Sequence, residues 1–293
     1  MTSTIAVPAP DVTRMQRDRS VRLKAAMCAQ NVDVIVLLGN SNVSYATGAS
    51  WPLADAGRAN FDRPVAVVTA DDEWPHLFSS FGGLAETELG LPADHAHGAV
   101  YPEFDEGAEG FGRVLARLVP HEARLAFDEL PGSMLRTCAT FFPGFSPASG
   151  DDVIGAAKLI KTPDELGFLR RALEITEQAI APVQAALAPG VHQSDLTALF
   201  LRAAFEFGAE ANILDPIWQV MPDRLADGPW TTHGDIACPL LTTERELAKG
   251  DVLWVDAGIS YAGFASDFGR TWLVGADPTP RQQAQFRAWR KIL

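Results

Sequence analysis

Residues 252–274 leave the chain little freedom. Val252-Leu253-Trp254-Val255-Asp256-Ala257-Gly258 is an apolar strand interrupted by one carboxylate. Ser266-Asp267-Phe268-Gly269-Arg270-Thr271-Trp272-Leu273-Val274 is its return, with Gly263 near the turn. Two such runs joined by a short Gly-containing connection read as a β-hairpin. An isolated hairpin is marginal in water, so the rest of the chain must supply elements that pack on it.

If the pairing axis passes between Tyr261 and Ala262, Asp256 and Asp267 stand directly opposite on one face, their Cβ atoms about 4.5–5.5 Å apart. Two carboxylates that close in an apolar sheet cannot both stay ionised without a positive partner. The hairpin contains no lysine. A divalent metal bridging both is economical, because hard cations take oxygen ligands. A second reading pairs Asp267 with Arg270 and assigns Asp256 to a turn. The hairpin alone leaves both open.

The first half alternates helix and strand. A helix is predicted from about Thr13 to Gln30, and short buried strands at Val32–Leu38, Arg63–Thr69 and Arg124–Phe127, with a weaker helix near Gly110–Leu118. This is an α/β architecture with a largely buried sheet. Residues 143–152 are dense in turn formers and read as a linker, which sets domains at 1–152 and 153–293. Thr162-Pro163-Asp164-Glu165 then signals a helix start, with Thr162 as cap, Pro163 at the first helical position and Glu165 closing a capping box. That helix is predicted to reach about Leu187, a second to cover Ser194–Phe207, a Pro- and Gly-rich loop to run from Asp215 to Pro239, and a last helix to begin near Arg281.

The formal charge of −13 over 293 residues argues against nucleic-acid phosphates and anionic membrane surfaces, both of which attract basic stripes. No stretch approaches the roughly 18 apolar residues of a membrane span. Cys28, Cys138 and Cys238 lie far apart without a CxxC pair, so no zinc ribbon or disulfide framework is indicated. With no signal-peptide core at the N-terminus, a cytoplasmic protein is expected.

The second half resembles the pita-bread family that holds methionine aminopeptidases, Xaa-Pro aminopeptidases, prolidases and creatinase. The resemblance rests on Lys161-Thr162-Pro163-Asp164-Glu165-Leu166, the loop histidine His233, Gly250-Asp251-Val252, Val255-Asp256-Ala257-Gly258 and Ser266-Asp267-Phe268-Gly269-Arg270-Thr271. Asn42-Val43-Ser44-Tyr45-Ala46-Thr47-Gly48 gives the first half a softer likeness to the creatinase-type N-terminal domain.

The resemblance implies a creatinase-like domain followed by part of a pita-bread metallohydrolase domain, with two divalent ions (manganese, cobalt, zinc or iron). Asp256 would be a ligand of one ion and Asp267 would bridge both, while His233 would contact substrate or intermediate. Trp218 and Trp230 are candidates to line the substrate pocket, with core packing as the alternative. The implied reaction is hydrolysis of a C–N bond in a small peptide, of Xaa-Pro dipeptidase or aminopeptidase type, in a homodimer. Creatine hydrolysis, lyase chemistry on a small sulfonium compound, and a non-catalytic binding role are the rivals. The family completes its site with a histidine and two glutamates after the hairpin. Here the last histidine is His233 and the last glutamate Glu246, so a chain cut short of its full site, with little activity, is expected.

Elsewhere, Asp94-His95-Ala96-His97 could bind metal but shows no second ligand cluster in sequence. His76, His121 and His192 read as surface or capping residues. Asp71-Asp72-Glu73 and Glu103–Glu106 read as solvated turns.

Overall fold

Local hydrogen bonding starts the first helix where it begins. The Asp11 side chain accepts the Arg14 amide at 2.9 Å, and α1 runs Val12–Ala29 with Met15, Arg19, Leu23 and Met27 buried. That spacing of four puts one stripe against the sheet. The computed structural model describes residues 10–49, 63–80, 82–221 and 244–292. Contacts divide the chain into two units, up to Gly167 and from Phe168 onward.

In the first unit, β1 (Val34–Leu37) lies between antiparallel β2 (Val65–Thr69) and parallel β5 (Leu125–Phe127). Beyond β2 come β3 (His76–Phe78) and β4 (Ala96–His97), and beyond β5 comes β6 (Ala148–Ser149), making a six-stranded sheet. The apolar runs of β1 and β2 are continuous rather than alternating because both faces are covered. Ile35 and Leu37 join a cluster with residues of α1, α2 (Asn40–Thr47) and α6 (Gly150–Leu159). Val34 and Val36 join the other, with α4 (Asp105–Leu118) and α5 (Gly132–Phe141). Helix α3 (Gly82–Glu88) precedes the turn that enters β4.

Three sequence expectations change here. Residues 143–152 are not a plain linker, since they contain β6 and the start of α6, whose Ser149 cap accepts the Asp152 amide. Helix α4 begins at Asp105, earlier than expected, and two of its glycines, Gly107 and Gly112, have a packing role. A Cβ on Gly112 would lie 2.3 Å from Thr137 Cγ2 of α5. Glu103 is no simple solvated turn residue, because it accepts from Arg63 at 2.7 Å.

The capping box holds. Thr162 N–H donates to Glu165 Oε2 at 2.7 Å and Glu165 N–H to Thr162 Oγ1 at 3.1 Å, opening α7 (Pro163–Ala186). Its two acids are also tied to α1, Asp164 to Arg14 and Glu165 to Arg19 at 2.9 Å.

In the second unit, α7 and α8 (Gln193–Glu206) cover one face of a sheet ordered β10-β8-β7, from β7 (Ala211–Val220), β8 (Val252–Tyr261) and β10 (Phe268–Leu273), with β9 (Phe264–Ala265) also on β8. Strand β7 corrects the loop expected from Asp215. The sequence hid it because its pairing to β8 shifts between Asn212 and Leu214 and again between Leu214 and Ile217, which lets Pro216 sit in a strand. Helix α9 (Pro280–Trp289) has no buried residue among those described. No described helix is long and apolar enough to cross a membrane.

Candidate metal centre

Strand β8 sorts its residues by face. Leu253, Val255, Ala257 and Ile259 are buried in the core with α7 and α8, while Trp254 and Asp256 are half-buried on the other side. A period of two makes this separation unavoidable. Asp256 therefore projects from the face those helices do not cover.

Its partner differs from the expected one. Tyr261 pairs with Phe264 and Ser260 with Ala265, so the turn is Ala262-Gly263, with φ of 50° and 74°. Two positive φ values in a two-residue loop make a type I′ turn, which suits the strand twist. The axis consequently falls between Ala262 and Gly263, one residue later than predicted. Asp256 stands opposite Gly269, and the same register sets Asp267 opposite Gly258. The two carboxylates share a face as diagonal neighbours, about 7 Å apart at Cβ, rather than directly opposed.

Electrostatics agrees with that placement. Burial, and then the charge of Asp267, raise the Asp256 carboxyl above its ordinary pKa. Among the described residues neither aspartate has a cationic partner. Arg270 alternates to the other face, where its guanidinium lies 4.1 Å from the Phe268 ring centre and 3.8 Å from Glu177. The Asp267–Arg270 pairing weighed from sequence is not formed. Oxygen donors on a common face without a counter-charge suit a hard divalent cation.

The hairpin is held in register around the pair. Ser266 N–H donates to Ile259 O at 2.9 Å, Ile259 N–H donates to Ser266 Oγ at 3.0 Å, and Ser266 Oγ lies 2.6 Å from Thr176 Oγ1 of α7. A side chain on Gly258 would meet Ser266 O at 2.6 Å, so only glycine permits that approach. A Cβ on Gly269 would meet nothing nearer than Val255 O at 3.5 Å.

The other expected site residues divide. Trp218 pairs with Val255, which puts it on the helix-covered face, wholly buried, with its indole N–H donating to Thr197 Oγ1 at 2.7 Å. Register thus places Trp218 in the packed core, across the sheet from the aspartates. His233 and Trp230 lie outside the described residues.

Two family profiles divide the chain much as its units do. The creatinase/prolidase N-terminal domain matches residues 19–153, and metallopeptidase family M24 matches residues 167–293. The chain belongs to the creatinase and Xaa-Pro peptidase family. Within it, Xaa-Pro aminopeptidase of Escherichia coli is 29% identical over 45% of this chain and 27% of its own length. Dimethylsulfoniopropionate lyase of Roseovarius nubinhibens is 25% identical over 95% of this chain and 62% of its own. The prolidase structure from Thermococcus sibiricus shares the fold, with a TM-score of 0.70 at 20% identity over 94% of this chain and 70% of that one. The chain thus spans less than two thirds of the length of those two sequence relatives.

Proposed function

We propose that this chain carries part of the metal centre of a dinuclear Xaa-Pro peptidase, with Asp256 and Asp267 as its carboxylate ligands. The supporting observation is the same-face pair on the side of β8 that α7 and α8 do not cover, with Asp256 raised by burial and by its neighbour. A divalent ion bound there would polarise a scissile carbonyl and supply a nucleophilic water at neutral pH. The aspartates contribute charge and oxygen donors, and the Ser266–Thr176 contact fixes the backbone that presents Asp267. His233 is assigned to substrate or intermediate. The N-terminal unit is taken as the creatinase-like domain, and the assembly as a homodimer.

Two carboxylates are too few donors to hold two ions tightly. Residues 1–293 alone should therefore bind manganese weakly and turn over Xaa-Pro dipeptides slowly. Calorimetric titration with manganese, repeated on Asp256→Asn and Asp267→Asn, is the direct test. Saturable binding lost in both variants supports the assignment, and binding indifferent to both removes it.

A lyase reading has one specific observation in its favour, the alignment of the sulfonium-lyase relative across 95% of this chain. A panel of Xaa-Pro dipeptides, creatine and dimethylsulfoniopropionate, given to a protein of the relatives' full length, separates the readings by which substrate is consumed.

A further inference from the structure

The edge of the six-stranded sheet gathers the histidines that looked isolated in sequence. His76 opens β3 and His95 sits in the 3-10 turn (Ala93–His95) that enters β4, and parallel pairing of Leu77 with Ala96 sets them side by side. Both are buried, at 7% and 9% exposure, and their rings stack with centroids 4.2 Å apart and planes within 5°. His76 is therefore not the surface residue expected. Asp72 reaches the same place from the turn after β2. Its Oδ2 lies 3.0 Å from His95 Nε2 and 3.5 Å from His76 Nε2. The backbone of Asp72 is itself anchored, its N–H to Thr69 Oγ1 at 3.1 Å and its carbonyl to Lys24 Nζ.

The outer nitrogens are also engaged. His95 Nδ1 lies 2.9 Å from Asp94 Oδ1, and His76 Nδ1 lies 3.0 Å from His97 Nε2. If each ring donates its Nδ1–H outward, both Nε2 lone pairs face the Asp72 carboxylate. Three electron-rich atoms then lie within 4.8 Å of one another, an arrangement that repels unless a cation sits among them. Outward hydrogen bonds from ligating imidazoles to a carboxylate or similar acceptor are the usual support of a metal site. Separation agrees as well. Donors on one tetrahedral zinc at about 2.0–2.1 Å stand roughly 3.3 Å apart, and the two donor distances to Asp72 bracket that value.

We propose that Asp72, His76 and His95 form a binding site for a zinc-class divalent ion in the N-terminal unit, with Asp94 and His97 as positioning residues. The site is separate from the Asp256 and Asp267 pair, sharing neither residues nor unit with it. Two nitrogens and one carboxylate oxygen select a borderline ion such as zinc over calcium or magnesium. Three protein ligands leave a fourth position for water. Seating the ion requires the parallel imidazoles to rotate about χ2 so that their lone pairs converge. The bound ion would tie the two-residue edge strand β4 to the turn between β2 and β3. A proton on His95 Nε2, bridging Asp94 and Asp72, is the competing occupant, so the ion and the proton displace one another.

The test uses the full chain carrying D256N and D267N, which silences the other carboxylate pair. Titration with cobalt(II) at pH 7.5 should give one equivalent bound, with a visible absorption band of tetrahedral strength that zinc bleaches. D72N, which keeps the shape of the side chain, should weaken binding at least tenfold. D94N leaves the ligands in place and should weaken it about 10- to 100-fold. H121A, in the turn between α4 and β5 and outside the cluster, should change nothing. Circular dichroism confirms that each variant is folded. The proposal is overturned by absence of saturable cobalt or zinc binding up to millimolar metal, or by binding that D72N leaves intact. It is overturned equally if nitrogen-15 NMR shows His95 doubly protonated at pH 7.5 with excess zinc present.

Discussion

Replacing Ser266 by alanine tests the contact that presents Asp267. The hydroxyl accepts Ile259 N–H at 3.0 Å and meets Thr176 Oγ1 at 2.6 Å, all in buried surroundings. Ser266→Ala leaves the Ile259 amide without that acceptor, while Thr176 keeps its bond to Ala172 O at 3.1 Å. One buried donor stripped of its partner costs about 1–3 kcal/mol. Thr176→Val is gentler: Ser266 Oγ still accepts from Ile259 and has Ile259 O at 3.4 Å for its own proton. That variant should lose about 1 kcal/mol, the net worth of one hydrogen bond. With a urea slope of about 2 kcal/mol/M, a 2 kcal/mol loss moves the midpoint by about 1 M. Unfolding is followed by tryptophan fluorescence, to which Trp218, wholly buried in the same unit, contributes. In the manganese titration Ser266→Ala should also weaken binding, because the backbone before Asp267 loosens. The reasoning fails if Thr176→Val costs as much as Ser266→Ala. It fails also if Ser266→Ala lies within about 0.3 kcal/mol of the parent at unchanged slope.

Other outcomes follow from single positions. Ala262 holds a φ of 50° beside Gly263 at 74°, so Ala262→Asn, which creates the favoured Asn-Gly turn, should raise stability by about 1 kcal/mol in the same urea assay. A Cβ on Gly150 would lie 2.3 Å from the Phe127 carbonyl carbon and 2.4 Å from the Asp128 nitrogen, whereas one on Gly155 meets nothing within 4 Å. Gly150→Ala should therefore cost about 2–3 kcal/mol and Gly155→Ala should gain about 0.5–1 kcal/mol, read as opposite shifts in melting temperature. The hydrogen bonds from Arg14 hold the Asp164 carboxyl below its usual pKa. A lowered acid contributes stability above its unfolded pKa of about 3.9 and loses it as pH falls through the folded value. The stability gap between parent and Asp164→Asn should be constant near neutral pH and shrink below about pH 4, as pH-dependent urea titrations would show.

What could be read in the sequence was whatever depends on neighbours along the chain. The Thr162–Glu165 capping box and the buried β1 are local statements, and both stand. Strand β7 was hidden because Pro216 argues against a strand unless bulges are foreseen, and bulges belong to the pairing of two segments. The early turns of α4 were hidden because Gly107 and Gly110 lower helix propensity, while the close approaches that Gly107 permits to Tyr101 O and Gly112 to α5 belong to the folded chain. The hairpin axis was misplaced by one residue because alanine is a poor choice for positive φ. The error was harmless to the face assignment. Moving an axis by one residue shifts every partner by two, and a shift of two preserves the face. The cluster at Asp72 was illegible for another reason. Asp72 and His76 are four residues apart, a spacing that could have drawn attention, but His95 joins them only through the β3–β4 pairing.

A carboxylate raised by burial is a cost that the second unit must offset elsewhere, and β8 shows where. The residues alternating with Asp256, namely Leu253, Val255, Ala257 and Ile259, are at most 1% exposed, and full burial of each larger one contributes about 1.5–3 kcal/mol. The strand is thus fixed by one face and is free to carry an unfavourable charge on the other. Glycines sharpen the division. Gly258 is required by the approach of Ser266 O, but Gly269, opposite Asp256, has ordinary room for a methyl group. Packing therefore does not explain Gly269, and the missing side chain leaves space beside Asp256 on the face it shares with Asp267. Charge without a partner, a well-anchored strand and vacant room beside it are three independent features. A divalent ion accounts for all of them together, whereas a structural ion pair would need a cation that the described residues do not bring to that face.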